Sequence, residues 1–241
     1  MKAHSRRYLF AIVTAVAILG SSCGDDGGSA ETTVAPETAP PETAPPETAP
    51  PETAPPATDP PAQFEGDLIG IFEITAGACD GAAVSGSYFQ MTGPDGSLVP
   101  NADSPCAADQ TFSLLTPGTD GGLASGSHQP APDPAFDEAG NALANAIAEP
   151  TLFFGVAFGL ATDETVDAPA ISAAGGELSG QVLAFTAYYG GAPFSQGSAE
   201  VTGTIDPVTG AFVLDWSSLI SGGPFDAFTG GWHLEGTFTA A

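Results

Sequence analysis

Residues 199–219 read AEVTGTIDPVTGAFVLDWSSL, and this stretch decides the fold. Two runs of strand length, 199–205 and 211–219, flank Asp206-Pro207-Val208-Thr209-Gly210. Proline presets φ for a turn and glycine accepts the left-handed conformation that closes it, so the runs form a tight hairpin. In the second run Phe212, Leu214 and Trp216 alternate with Val213 and Asp215, which makes one face core and the other wetter. Residues 231–239, GWHLEGTFT, carry the same pattern: Trp232, Leu234, Gly236 and Phe238 alternate with His233, Glu235 and Thr237.

Working outward, further strands are expected at 67–75, 84–92, 110–115, 151–161, 170–173 and 180–189, with a Gly93-Pro94-Asp95-Gly96 turn after the second. A single helix is expected, over 137–148, where Phe136, Leu143 and Ile147 share a face and Pro150 stops it. Its rival is a turn at Glu138-Ala139-Gly140-Asn141 leading into a strand. Two connections echo each other: Gly190-Gly191-Ala192-Pro193-Phe194 leads to one strand, and Gly222-Gly223-Pro224-Phe225 to another. The expected fold is all-β, an antiparallel β-sandwich or closed β-barrel of about eight or nine strands with at most one short helix.

The N-terminus has a different composition. Residues 1–7 are basic, 8–19 are apolar, and Gly20-Ser21-Ser22 precede Cys23. An apolar run this short is an export signal, since a membrane-spanning helix needs roughly 20 apolar residues. Leu19-Gly20-Ser21-Ser22-Cys23 resembles the lipobox of bacterial lipoproteins, with Leu one position earlier than usual. That resemblance implies cleavage after residue 22, a diacylglycerol on the Cys23 thiol and anchoring on the extracytoplasmic face of the cell membrane. The alternative is an ordinary signal peptide with Cys23 incidental.

Residues 23–63 then form a tether, with PETAP repeats starting at Pro36, Pro41, Pro46 and Pro51. The segment offers almost no apolar surface to offset ordering entropy, so it is expected to be an unfolded, proline-stiffened spacer that could reach roughly 80 Å. Its threonines are candidate glycosylation positions, and its prolines a weaker candidate ligand for Pro-reading domains. The domain follows at 64–241. Three cysteines in an exported chain leave one to explain. Lipidation of Cys23 does so, and leaves Cys79 and Cys106, both on loop-like sequence, to pair in an oxidising compartment.

Charge excludes several functions. The chain has 29 Asp+Glu and 3 Lys+Arg, and all three bases, Lys2, Arg6 and Arg7, lie in the expected export signal. A mature chain therefore has no fixed positive charge with which to neutralise phosphates or clamp carboxylates, so nucleic-acid binding and P-loop chemistry are out of reach. Cations are the partner this surface suggests. Calcium is the candidate ion, with Asp80, Asp95, Asp120, Asp163, Glu164 and Asp167 in expected loops as oxygen donors, although no D-x-D-x-D-G loop occurs and the leading alternative is solvated surface acids. His233 and Glu235, two apart on a strand, share a face and are the candidate metal or acid/base pair. Solvated polar residues would give the same spacing. His128 lies in a separate loop. Neither H-E-x-x-H nor G-x-S-x-G occurs. The expected function is a membrane-anchored surface binding or structural module with a glycan, protein or cation partner. The alternative is an extracytoplasmic hydrolase working with carboxylates, as glycosidases do, or with metal assistance.

Overall fold

The computed structural model describes residues 64–241 except 197 and 198; the expected export signal, Cys23 and the tether lie outside the described residues. The domain is all-β. Its first eight strands are β1 (Gly66–Asp67), β2 (Gly70–Ile74), β3 (Ala78–Asp80), β4 (Ala83–Ser85), β5 (Tyr88–Thr92), β6 (Ser113–Leu114), β7 (Gly122–Ser125) and β8 (Thr151–Phe153). The other eight are β9 (Val156–Thr162), β10 (Ala170–Ala174), β11 (Glu177–Gln181), β12 (Phe185–Tyr189), β13 (Ala192–Ser195), β14 (Glu200–Ile205), β15 (Ala211–Leu219) and β16 (Thr229–Ala240).

The hairpin at the DPVTG turn forms as expected. Asp206 Oδ1 accepts hydrogen bonds from the backbone N–H of Val208 (2.8 Å) and Thr209 (2.7 Å), and Gly210 takes φ 74°. Alternation along β15 buries Phe212, Leu214 and Trp216, and along β16 it buries Trp232, Leu234 and Phe238. These strands lie at the centre of a curled antiparallel sheet, β1-β10-β11-β14-β15-β16-β2-β7. β16 is long enough to serve two partners along one edge. Its C-terminal half pairs with β2 and its N-terminal half with β5, while β3 and β4 loop out between them.

A second sheet, β13-β12-β9-β8, packs on the inner face of the first. The Phe185 ring meets Trp232 at 4.8 Å and Trp216 at 5.2 Å, and Phe89 meets Phe158 at 5.7 Å, so aromatic edges join the two sheets. The arrangement combines a half-barrel with a sandwich.

Among the described residues sixteen strands replace the eight or nine expected, because long apolar runs break where the chain changes sheet or reverses. Residues 180–189 divide at Val182 and Ala184, so that β11 stays in the large sheet while β12 crosses to the small one. Residues 151–161 divide at a two-residue turn, Phe154-Gly155, into the hairpin β8–β9. Cys79, expected in a loop, sits on β3, with its Cα 5.5 Å from that of Cys106, at disulfide distance.

The helix expected over 137–148 is absent, and the rival turn is correct. Asp137 Oδ1 accepts from the N–H groups of Ala139 and Asn141, closing the turn. Beyond it the chain runs as an extended strap over the small sheet: Ala142 N–H donates to Ala157 O, while Ile147 O and Asn145 O accept from Gly118 and Thr119. Backbone groups spent on tertiary partners are unavailable to a helix. The supposed apolar face separates as well, with Ile147 buried and Leu143 40% exposed. Gly159 of β9 permits this close approach, since a Cβ there would strike the Ala144 carbonyl. Among the described residues the single helical turn is a 3-10 turn at Gly223–Phe225.

Candidate functional site

The solvent face of the large sheet carries the polar residues that alternate with its core. Register brings Thr202, Asp215, His233 and Tyr88 into one row across β14, β15, β16 and β5. His233 and Glu235 do share a face, and the structure adds Asp215, whose place in the sequence marks it only as a wet strand position. His233 Nδ1 donates to Asp215 Oδ1 at 2.7 Å, which fixes the ring, and Nε2 faces Glu235 Oε2 at 3.8 Å. The Tyr88 ring stacks on the imidazole with centroids 4.7 Å apart. Partial burial, then the negative charges of Asp215 and Glu235, raise the Tyr88 pKa above its usual value, so the phenol remains a hydrogen-bond donor at neutral pH.

Glu235 also has a structural task. Its Oε1 accepts the Gly86 N–H at 2.6 Å, and its backbone N–H donates to Ser87 Oγ, clasping the turn between β4 and β5 to β16.

One row along, Ser217, Gly231 and Gln90 are neighbours. Glycine at the middle position leaves a floor with no side chain, and a groove of about 320 Å³ opens there, edged by Tyr88, Gln90, Glu200, Thr202, Asp215 and His233. Gln90 is held by a hydrogen bond from Nε2 to Thr111 Oγ1, and Asp109 fixes Thr111 in turn. A second hollow of about 320 Å³ lies over β11 and β14, lined by Ser179, Gln181 and again Glu200. Glu200 lines both hollows.

The other sequence candidates lie elsewhere. His128 Nε2 bonds the Val166 carbonyl, in a loop with Asp163 nearby. Asp95 and Asp163 cap their own turns, and Asp120 accepts from Gln129 Nε2. Among the described residues no three His, Cys, Asp or Glu side chains gather as a metal site. Tyr88, Gln90 and Glu200 escape a reading of the sequence because only cross-strand register, which sequence alone does not give, brings them beside His233. No family model, curated protein or solved structure matches the chain.

Proposed function

We propose that the chain is an exported, diacylglycerol-anchored lipoprotein whose β domain is a surface binding module. Its recognition site is the groove at Tyr88, Gln90, Thr202, Asp215 and His233. The observation that carries this reading is a pair of hollows on one exposed sheet face that share Glu200 in their linings, with hydroxyl, amide, imidazole and carboxylate groups beside the Tyr88 ring. Such a lining suits a chain-like ligand rich in hydroxyl or amino groups. With no Lys or Arg in the domain, an anionic ligand is repelled.

The test is a calorimetric titration of the mature chain with neutral, amino and acidic oligosaccharides, repeated with Tyr88→Ala and Asp215→Asn. Binding of neutral or amino chains that both substitutions weaken supports the reading; binding indifferent to both rejects it. The Asp215–His233 pair gives a hydrolase reading its single specific support, and release of shortened chains in the same titration would favour it. For the anchor, the mature mass is diagnostic: residues 1–22 missing and a diacylglycerol on Cys23.

A further inference from the structure

A second, chemically opposite cavity lies between the two sheets. About 40 Å³ is open inside it, with an entirely apolar surface formed mainly by Phe89, Phe153, Phe158, Tyr189, Phe225 and Trp232. By the measure in which one water needs ~10–15 Å³, it holds roughly three water-sized bodies, yet it offers them no polar partner. It takes an apolar group of a few carbons, such as the end of a hydrocarbon chain.

The loops beside it are built unusually. The Phe154-Gly155 turn that joins β8 to β9 has positive φ at both residues, 49° and 77°, a conformation that favours Asn or Gly at the first position. Phenylalanine is placed there instead, 47% exposed, with its ring stacked on Phe225 at 6.2 Å and 22°. Phe225 rides on the 3-10 turn that starts at Gly223, and a Cβ at Gly223 would run into the Phe194 ring. The two connections that echo each other in sequence thus meet at this cavity, through Phe194 and Phe225. Ala227, whose N–H donates to the Ile220 carbonyl across the same loop, also has positive φ, 65°. The two non-glycine residues with positive φ among those described therefore both lie within two positions of a residue that lines the cavity, Phe153 and Phe225 respectively. Backbone strain of this kind clusters at ligand clamps.

Charge narrows the ligand. Asp226 adjoins Phe225, and Asp103 accepts the Gly155 N–H at 2.6 Å beside the Phe154 turn. No Lys or Arg in the domain could hold a carboxylate or phosphate head. We infer that this cavity binds the end of the hydrocarbon chain of a single-chain amphiphile with an uncharged or cationic head, with Phe225 in its wall and Phe154 stacked against Phe225. The inference is independent of the groove on the opposite face of the large sheet.

The test titrates the full mature chain with ethyl-, butyl- and hexylamine, the matching alcohols and the matching carboxylates, followed by fluorescence of Trp232 in the cavity wall. Amines and alcohols should bind saturably, gaining about fourfold per methylene until the cavity is full, with carboxylates weaker. Ala187→Phe fills the cavity and should abolish binding. Phe154→Asn restores a residue the turn prefers, so it should hold or raise Tm while weakening binding about tenfold. Four results would overturn the inference: no saturable binding, affinity independent of chain length, carboxylates binding as well as amines, or binding unchanged in both variants.

Discussion

Trp216 of β15 and Trp232 of β16 occupy paired register positions and stack, with ring centroids 6.0 Å apart and planes 17° apart. Their indole N–H groups fare differently. Trp232 Nε1 donates to Ser218 Oγ at 3.1 Å, and Ser218 in turn donates to Gln196 Oε1, whereas Trp216 Nε1 is buried with no hydrogen-bond partner among the described residues. An unmet buried donor costs about 1–3 kcal/mol and a met one contributes about 1 kcal/mol. Trp232→Phe should therefore destabilise more than Trp216→Phe, by about 2–4 kcal/mol. Urea midpoints of the two variants check the order.

The strap over the small sheet makes a contrast between two neighbouring apolar residues. Ile147→Ala, at a buried position in the core, should cost about 2–5 kcal/mol. Leu143→Ala, on the exposed side, should stay within about 0.5 kcal/mol. Similar losses at both positions, measured by urea unfolding, would argue for the helical face that sequence periodicity suggests.

Cys79 and Cys106 enclose 27 positions of chain, for which loop-closure entropy gives about 3–4 kcal/mol. Reduction should lower the urea midpoint by a corresponding amount, and reoxidation should restore it. A midpoint insensitive to reductant would show that the loop contributes little in the unfolded chain.

Acid should act in a definite window. Asp95, Asp109, Asp137, Asp163 and Asp206 accept hydrogen bonds from Ser97, Thr111, Asn141, Thr165 and Thr209 respectively, which hold their carboxyls below the ordinary aspartate value of 3.8. Because the folded pKa is the lower one, this stabilisation is present above 3.8 and fades as pH falls through the folded values. A side-chain amide in place of the Asp206 carboxylate keeps an acceptor oxygen and does not titrate. Asp206→Asn should therefore lose less Tm than the parent as pH falls below 3.8. Parallel curves would contradict it.

The one-sign surface adds a salt effect. With 29 acids in the chain and its three bases confined to residues 1–7, added salt should raise the Tm of the domain by screening self-repulsion. A flat Tm across a salt series would show the acids too widely spread to interact.

How far the sequence disclosed the fold depended on the kind of constraint. β15 and β16 were legible because a period of two has no rival reading in Phe212-Val213-Leu214-Asp215-Trp216, and the DPVTG turn was legible because each residue has its own reason to be there. β7 was not, since Gly122-Leu123-Ala124-Ser125 is buried on both faces and shows no alternation. The strap misled because Phe136, Leu143 and Ile147 have helical spacing by chance, while its backbone partners lie at 116–120 and 157. His233 and Glu235 were readable as neighbours on one strand. Their companions Asp215, Tyr88 and Glu200 come from other strands, Tyr88 from far back along the chain, and only register joins them.

β16 follows in the chain every strand it joins, and its two edge partners, β2 and β5, are the early strands 70–74 and 88–92. It is the keystone of the large sheet: until it emerges, β2 and β5 lack the strand they align against, and the Glu235 clasp on Gly86 has no anchor. Such long closures are slow, on the ms–s scale typical of nonlocal β folds. Closure of the large sheet therefore waits on β16, the strand that follows all of its partners in the chain.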